Sequence, residues 1–221
     1  MPHPIRFLHL SDFHIGASHD HTVNGVNAER ATRDLLAEAS RRVPDPGFVL
    51  VTGDLSDDGE AVGHQRVRRM LGETFSPGTP VFVGLGNHDG RPGFRAGYLG
   101  ETSGDAGRPY FHAAMVGDLR IVVLDSSVPG EVGGAIDPQQ LAWLDDLLRV
   151  PAPHGTLVAV HHPPIRCPVA WLNETGLAGP DDLEAVLRNR ASWACCPGTS
   201  TWRTRARSRA SSARSRRRPC T

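Results

Sequence analysis

Five apolar runs of strand length, at residues 5–10, 48–52, 81–85, 119–124 and 157–160, each empty into polar or glycine-rich residues. They read as buried strands that end in loops. Between them lie helical patterns. Residues 28–43 are rich in Ala, Leu and Arg, and residues 61–71 alternate basic with apolar positions. Residues 137–149 open with Asp137 as a cap and Pro138 in the first turn, and Pro180 and Asp181 open a further helix to about residue 188. Strand and helix therefore alternate, which predicts a layered α/β architecture with functional loops at strand ends. Trp143 and Leu144 sit on a helical apolar stripe and are expected in the core.

A chain of 221 residues can bury one substantial core, so one domain is expected. No run approaches the about 20 apolar residues needed to span a bilayer, and no charged-then-apolar leader opens the chain, so the expectation is a cytoplasmic protein without membrane association. The charge is balanced, at 24 basic and 24 acidic residues, but unevenly placed. Residues 1–187 hold 14 arginines against all 24 acids, and ten arginines follow from Arg188 onward. Every basic residue is Arg. Beyond about Asn189 neither a helical nor a strand period is visible, and the Arg, Ser and Ala bias reads as disorder. The division is thus a folded domain over residues 1–188 and an Arg/Ser-rich tail over residues 189–221. Cys167, Cys195, Cys196 and Cys220 follow neither a metal-ligand nor a disulfide spacing.

Four blocks at the exits of these strands can carry chemistry. Asp12-Phe13-His14 follows the first run, and from an extended backbone its Asp and His point the same way, toward one cation. A surface or capping role fits D-x-H equally when it stands alone. Gly53-Asp54 presents a carboxylate at a tight turn, and the following Ser56-Asp57-Asp58-Gly59 reads as turn chemistry. Gly86-Asn87-His88-Asp89 is more specific: an amide oxygen can ligate a metal without adding charge, and the adjacent imidazole can act as an acid or a positioning donor. His161-His162-Pro163-Pro164 ends the last run. His19 and His21, in a polar loop near the first block, read as solvated.

In this order, D-x-H, G-D, G-N-H-D and H-H-P-P resemble the calcineurin-like metallophosphoesterases over roughly residues 4–188. Within that family the frame HLSD-H, VTGDLSDDG, GNHD, VVLDSS and HHPP is similar to bacterial class III cyclic nucleotide phosphodiesterases and glycerophosphodiesterases. The resemblance implies an αββα sandwich, cut short at its C-terminal end. It makes Asp12 and His14 ligands of one metal, Asp54 the bridging carboxylate, Asn87 and His161 ligands of a second metal, and His88 the catalytic residue that stabilises the phosphoryl group or protonates the leaving group. The family's His-x-Pro pattern selects His161, although His162 also precedes Pro-Pro. The implied cofactors are two ions of Fe, Mn or Zn, and the implied reaction is hydrolysis of a small phosphodiester, a 3',5'-cyclic nucleotide or a glycerophosphodiester, by a hydroxide that the dinuclear centre activates. A phosphomonoesterase of the same fold and a catalytically dead remnant with residual metal binding are the rival readings.

Family members carry a further Gly-His-x-His block that supplies one histidine to each metal, and no histidine follows His162 here. A frameshift accounts for both the missing block and the altered composition. With Pro197 to Trp202 encoded CCG GGC ACG TCC ACG TGG, reading one base earlier yields Gly-His-Val-His-Val. The expectation is an out-of-frame tail and a weakly active or inactive chain. The tail's arginines could also serve as a nucleic-acid-binding arm. With no interleaved aromatics beyond Trp193 and Trp202, no nucleic acid partner is expected. A homodimer is left open.

Overall fold

The computed structural model describes residues 4–165, 173–188 and 192–195. Two sheets form the centre. In the first, β1 (Leu8–Leu10), β4 (Val49–Thr52) and β5 (Val81–Gly84) run parallel in that order. In the second, β6 (His112–Val116) is antiparallel to β7 (Leu119–Val123), and β7, β9 (Thr156–Ala159) and β11 (Ser192–Cys195) follow in parallel. Two short pairs complete the strands: the hairpin of β2 (Thr22–Val23) with β3 (Val26–Asn27), and β8 (Gly134–Ala135) with β10 (Leu177–Ala178).

Alternation of side chains across each strand sets the layers. Leu50 and Phe82 of the first sheet, with Phe48 just before β4, meet Ile121, Val123, Leu157 and Ala159 of the second in one buried cluster. The opposite faces carry helices. Val49, Val51 and Val83 pack against Leu36 of α1 (Ala28–Arg42) and Val67, Met70 and Leu71 of α2 (Ala61–Thr74). Val122, Val158 and Val160 pack against Leu144 and Leu148 of α4 (Pro138–Leu148) and Leu183 of α5 (Pro180–Leu187). The order helix, sheet, sheet, helix is the αββα sandwich expected from the resemblance. A short α3 (Arg91–Phe94) runs on into a π-helical turn, Arg95–Leu99, and seats Phe94 in the cluster that the first sheet forms with α1 and α2.

Local chemistry explains the helix starts. Asn27 accepts from Arg30 N to cap α1, and Asp137 accepts from Gln140 N to cap α4 with Pro138 at its first position. Leu144 is fully buried, and Trp143 is half-buried with its ring 4.9 Å from that of Phe111.

The second sheet takes in a short segment of the expected tail. Residues 192–195, where no strand period was visible, pair with β9 in register from Ser192 opposite Thr156 to Cys195 opposite Ala159. The sheet thus continues past the boundary set at residue 188, because a central parallel strand offers a ladder of backbone donors and acceptors whatever side chains the incoming segment carries. The remainder of the tail, including residues 197–202 where the alternative frame carries the fifth block, lies outside the described residues. Among the described residues no helix is long and apolar enough to cross a membrane.

Candidate metal centre

The loops leaving β1, β4, β5 and β9 all emerge at the carboxyl ends of parallel strands, where the two sheets bring them together. Asp54 is the buried centre of the cluster, at 4% exposure. Its Oδ1 accepts from the backbone N–H of His88 at 3.0 Å. Its Oδ2 faces His14 Nε2 at 3.5 Å and His161 Nε2 at 3.6 Å, too far for good hydrogen bonds. His161 Nε2 also lies 3.3 Å from Asn87 Oδ1.

The outer nitrogens of these rings fix what the inner ones present. His161 Nδ1 donates to Thr52 O at 2.8 Å, and His14 Nδ1 donates to the Asp57 carboxylate at 2.9 Å. A neutral ring so anchored turns Nε2 as a lone pair toward Asp54, which is the arrangement that outer hydrogen bonds impose on metal-ligating histidines. Two imidazole nitrogens and a carboxylate oxygen converge there. A cation between them would draw all three together.

The ligand atoms fall into two groups, each within 4.8 Å: His14, Asp54 and His88, and Asp12, Asp54 and His161. Donors about 2.1 Å from a common ion sit about 3–4 Å apart, so groups of this span need only a small closing movement to hold one. Asp54 belongs to both. This mixed set of carboxylate, imidazole and amide fits a borderline transition metal.

The first block differs from its expected geometry. Asp12 and His14 do not project from an extended strand, since β1 ends at Leu10 and the two residues have φ of 60° and 48°. Asp54 likewise has φ of 50°, preceded by Gly53 at 85°. Left-handed backbone at three non-glycine positions costs roughly 1–2 kcal/mol each, and it persists where surrounding structure enforces it. The enforcing contacts are backbone bonds across the two loops, Asp12 N to Gly53 O at 3.1 Å and His14 N to Asp54 O at 2.9 Å. As a result Asp12 and His14 enter different groups, His14 toward His88 and Asp12 toward His161.

His162 is turned away from the centre. Its Nδ1 accepts from Ser126 Oγ at 2.7 Å and its Nε2 donates to Val132 O at 3.1 Å. Burial, aided by neighbouring His161, pushes its pKa down to about 4, so it is a neutral core histidine. His161, at the same strand exit, is the ring that faces Asp54 and Asn87.

His88 is 40% exposed at its side chain, with Nδ1 donating to Asp57 O at 2.9 Å. Burial alone would lower its pKa, but that bond and the carboxylates of Asp54, Asp57 and Asp89 outweigh it and hold the ring above the ordinary histidine value. Burial pushes the Asp54 carboxyl up, with His161, the His88 bond and His14 opposing it.

Sequence reasoning missed part of the support. Asp57, read as turn chemistry, also receives His21 Nε2 at 2.8 Å, so His21 is tied to the site rather than solvated. His19 remains 73% exposed at its side chain, paired with Glu29 at 2.8 Å. Buried Asp125 accepts from Arg91 Nε at 2.9 Å and Tyr110 N at 2.8 Å. No spacing in the chain marks these partners, because they meet only through the tertiary fold.

A cavity of about 580 Å³ opens beside Asn87 and His88 and is bordered by Asp58, Glu60, Arg91 and Ser127. Arg91 brings no free charge to it. Its Nε is held by Asp125, its Nη1 by Gly107 O at 3.2 Å and its Nη2 by Ser127 O at 2.8 Å.

A model of the family described as calcineurin-like phosphoesterase matches residues 5–194. A cAMP/cGMP dual specificity phosphodiesterase of Mycobacterium tuberculosis is 38% identical over 160 residues, 72% of this chain and 49% of that protein. A probable cyclic nucleotide phosphodiesterase of Rhodococcus erythropolis is 37% identical over 168 residues, 75% of this chain and 55% of that protein. The 3',5'-cyclic adenosine monophosphate phosphodiesterase CpdA of Pseudomonas aeruginosa is 28% identical over 183 residues, 83% of this chain and 64% of that protein. The chain thus spans about half the length of the first two. Among solved structures, the purple acid phosphatase PPD1 of yellow lupin superposes with a TM-score of 0.56 at 12% identity, covering 88% of this chain and 38% of that one, a likeness of fold alone.

Proposed function

The chain belongs to the calcineurin-like phosphoesterase family, and on that footing we propose that it carries a dinuclear centre for hydrolysing a small phosphodiester of the cyclic nucleotide or glycerophosphodiester class. The observation that carries this reading is the convergence of His14 Nε2 and His161 Nε2 on Asp54 Oδ2, at 3.5 and 3.6 Å. Asp12, His14, Asp54, Asn87 and His161 are the ligands in this reading, for Fe, Mn or Zn. Bound ions of this kind lower the pKa of a water and offset charge on phosphate oxygens.

The protein's own groups supply the rest. His88, anchored through Nδ1 and raised in pKa, against the effect of burial, by that bond and its carboxylate neighbours, offers Nε2–H in this reading to a phosphoryl or leaving-group oxygen. The adjoining cavity favours a diester over a polyphosphate. Asp58 and Glu60 border it, and its one guanidinium is consumed by Asp125 and two carbonyls, so a second phosphate would find acids and no spare cation. A neutral polyol or nucleoside leaving group fits that lining.

The test uses the full chain loaded with manganese(II). Turnover of bis(p-nitrophenyl) phosphate well above that of p-nitrophenyl phosphate, with two ions bound per chain, is the expected result. Preference for the monoester would make the protein a phosphomonoesterase. No turnover with at most one weakly bound ion would leave the dead-remnant reading standing.

A further inference from the structure

Outside the ligand set, the carboxylate of Asp89 is buried and fully satisfied, with its side chain 0% exposed. Its Oδ2 accepts from Gly86 N at 2.9 Å and Leu55 N at 3.2 Å, and its Oδ1 accepts from Ser56 N at 2.9 Å. These donors flank Asp54 on one side and Asn87 on the other. One carboxylate therefore ties the turn after β4 to the turn after β5, the two turns that hold the centre of the site.

The fourth donor comes from α2. His64, also 0% exposed, places Nε2 at 2.9 Å from Asp89 Oδ1 and Nδ1 at 2.8 Å from Glu60 O. A carbonyl oxygen can only accept, and three backbone N–H groups already aim at the carboxylate, so each ring nitrogen faces an acceptor. A neutral ring satisfies one of them and opposes a lone pair to the other. We propose that His64 is a positioning residue that donates from both ring nitrogens, locking the start of α2 to Asp89 and thereby setting the separation of Asp54 from Asn87. The ring packs edge-on to fully buried Phe94 at 5.7 Å, which leaves it no alternative orientation toward water.

A merely structural His64 would affect stability alone. A positioning His64 also affects ion uptake, since partners that orient ligands are worth about 10–100-fold in metal affinity. The inference rests on the metal-centre reading, and three measurements on the full chain keep the two apart. Wild-type protein is titrated calorimetrically with manganese(II), and absence of uptake sinks the metal-centre reading itself. His64→Phe, which keeps a ring and removes both donors, is expected to bind manganese(II) about 10–100-fold more weakly, and His64→Gln, which keeps one donor on Asp89, to recover most of that loss. Equal affinity of wild type and a folded His64→Phe overturns the inference. Should His64→Phe fail to fold, His64→Gln and nitrogen-15 spectra of the wild-type ring decide: both ring nitrogens protonated supports the inference, and one bare nitrogen overturns it.

Discussion

Replacing Asp89 by Asn removes one charge and one acceptor from a site with four donors, and the consequence can be worked through atom by atom. The best-placed Asn turns its oxygen to Gly86 N and Leu55 N, which lie 2.9 and 3.2 Å from the present Oδ2. Its amide then meets Ser56 N and His64 Nε2. The histidine can adapt by giving up its Nε2 proton and accepting from the amide while still donating to Glu60 O. Ser56 N cannot adapt, and a buried N–H without an acceptor costs about 1–3 kcal/mol. The two bonds that survive lose their charge assistance, which costs about 1 kcal/mol more in total. Asp89→Asn should therefore destabilise by about 3 kcal/mol, a large share of the roughly 5–15 kcal/mol that holds a domain folded. Urea unfolding in the presence of a chelator measures this without a contribution from bound metal. A loss below about 1 kcal/mol would refute the claim that this carboxylate is the tie between the two turns.

His112 gives an acid-limb prediction. Burial lowers its pKa from 6.5 to about 4, with Nδ1 buried and without a hydrogen-bond partner and the ring stacked on Phe82 and tilted against Tyr110. The unfolded chain then binds this proton more readily, so stability is full above pH 6.5 and falls as pH drops toward about 4. His112→Phe should flatten that part of a stability-against-pH curve, and an unchanged slope would contradict it. At Gly86 an added methyl would sit 2.2 Å from Asp54 Oδ1 and 2.6 Å from Asp54 N. Gly86→Ala should therefore displace the shared carboxylate and weaken manganese(II) uptake at least 10-fold, read by calorimetry, since ligand displacement costs more than loss of an outer partner.

The parts of the fold that were legible in the sequence are those set locally. Strand runs 48–52 and 81–85 became β4 and β5 nearly residue for residue, and α4 starts at the Asp137 and Pro138 signal. Their apolar stretches are buried on both faces, so no alternation was needed to find them. The hairpin of β2 and β3 is two residues a side, and β6 has half-buried Ala and His in place of a β-branched run, so neither carries a local signature. The four blocks that approach one another were visible as residue types at strand exits. Their backbone was not, because the left-handed turns at Asp12, His14 and Asp54 are imposed by bonds between distant loops. The partners of His64, and of Asp125 in the VVLDSS frame, were not legible for the same reason: they lie 25 and 34 residues away, at Asp89 and Arg91.

Those left-handed turns also set what selection can do with this protein. Asp and His enter such backbone more readily than most side chains but still at a cost, whereas Gly adopts it at no steric cost. A library screened only for heat resistance, with metal withheld, should drift toward Gly at positions 12, 14 and 54, gaining robustness as it discards the groups that face the ions. Screens that keep manganese(II) present would oppose that drift, so the same gene would evolve toward two different proteins according to what is in the buffer.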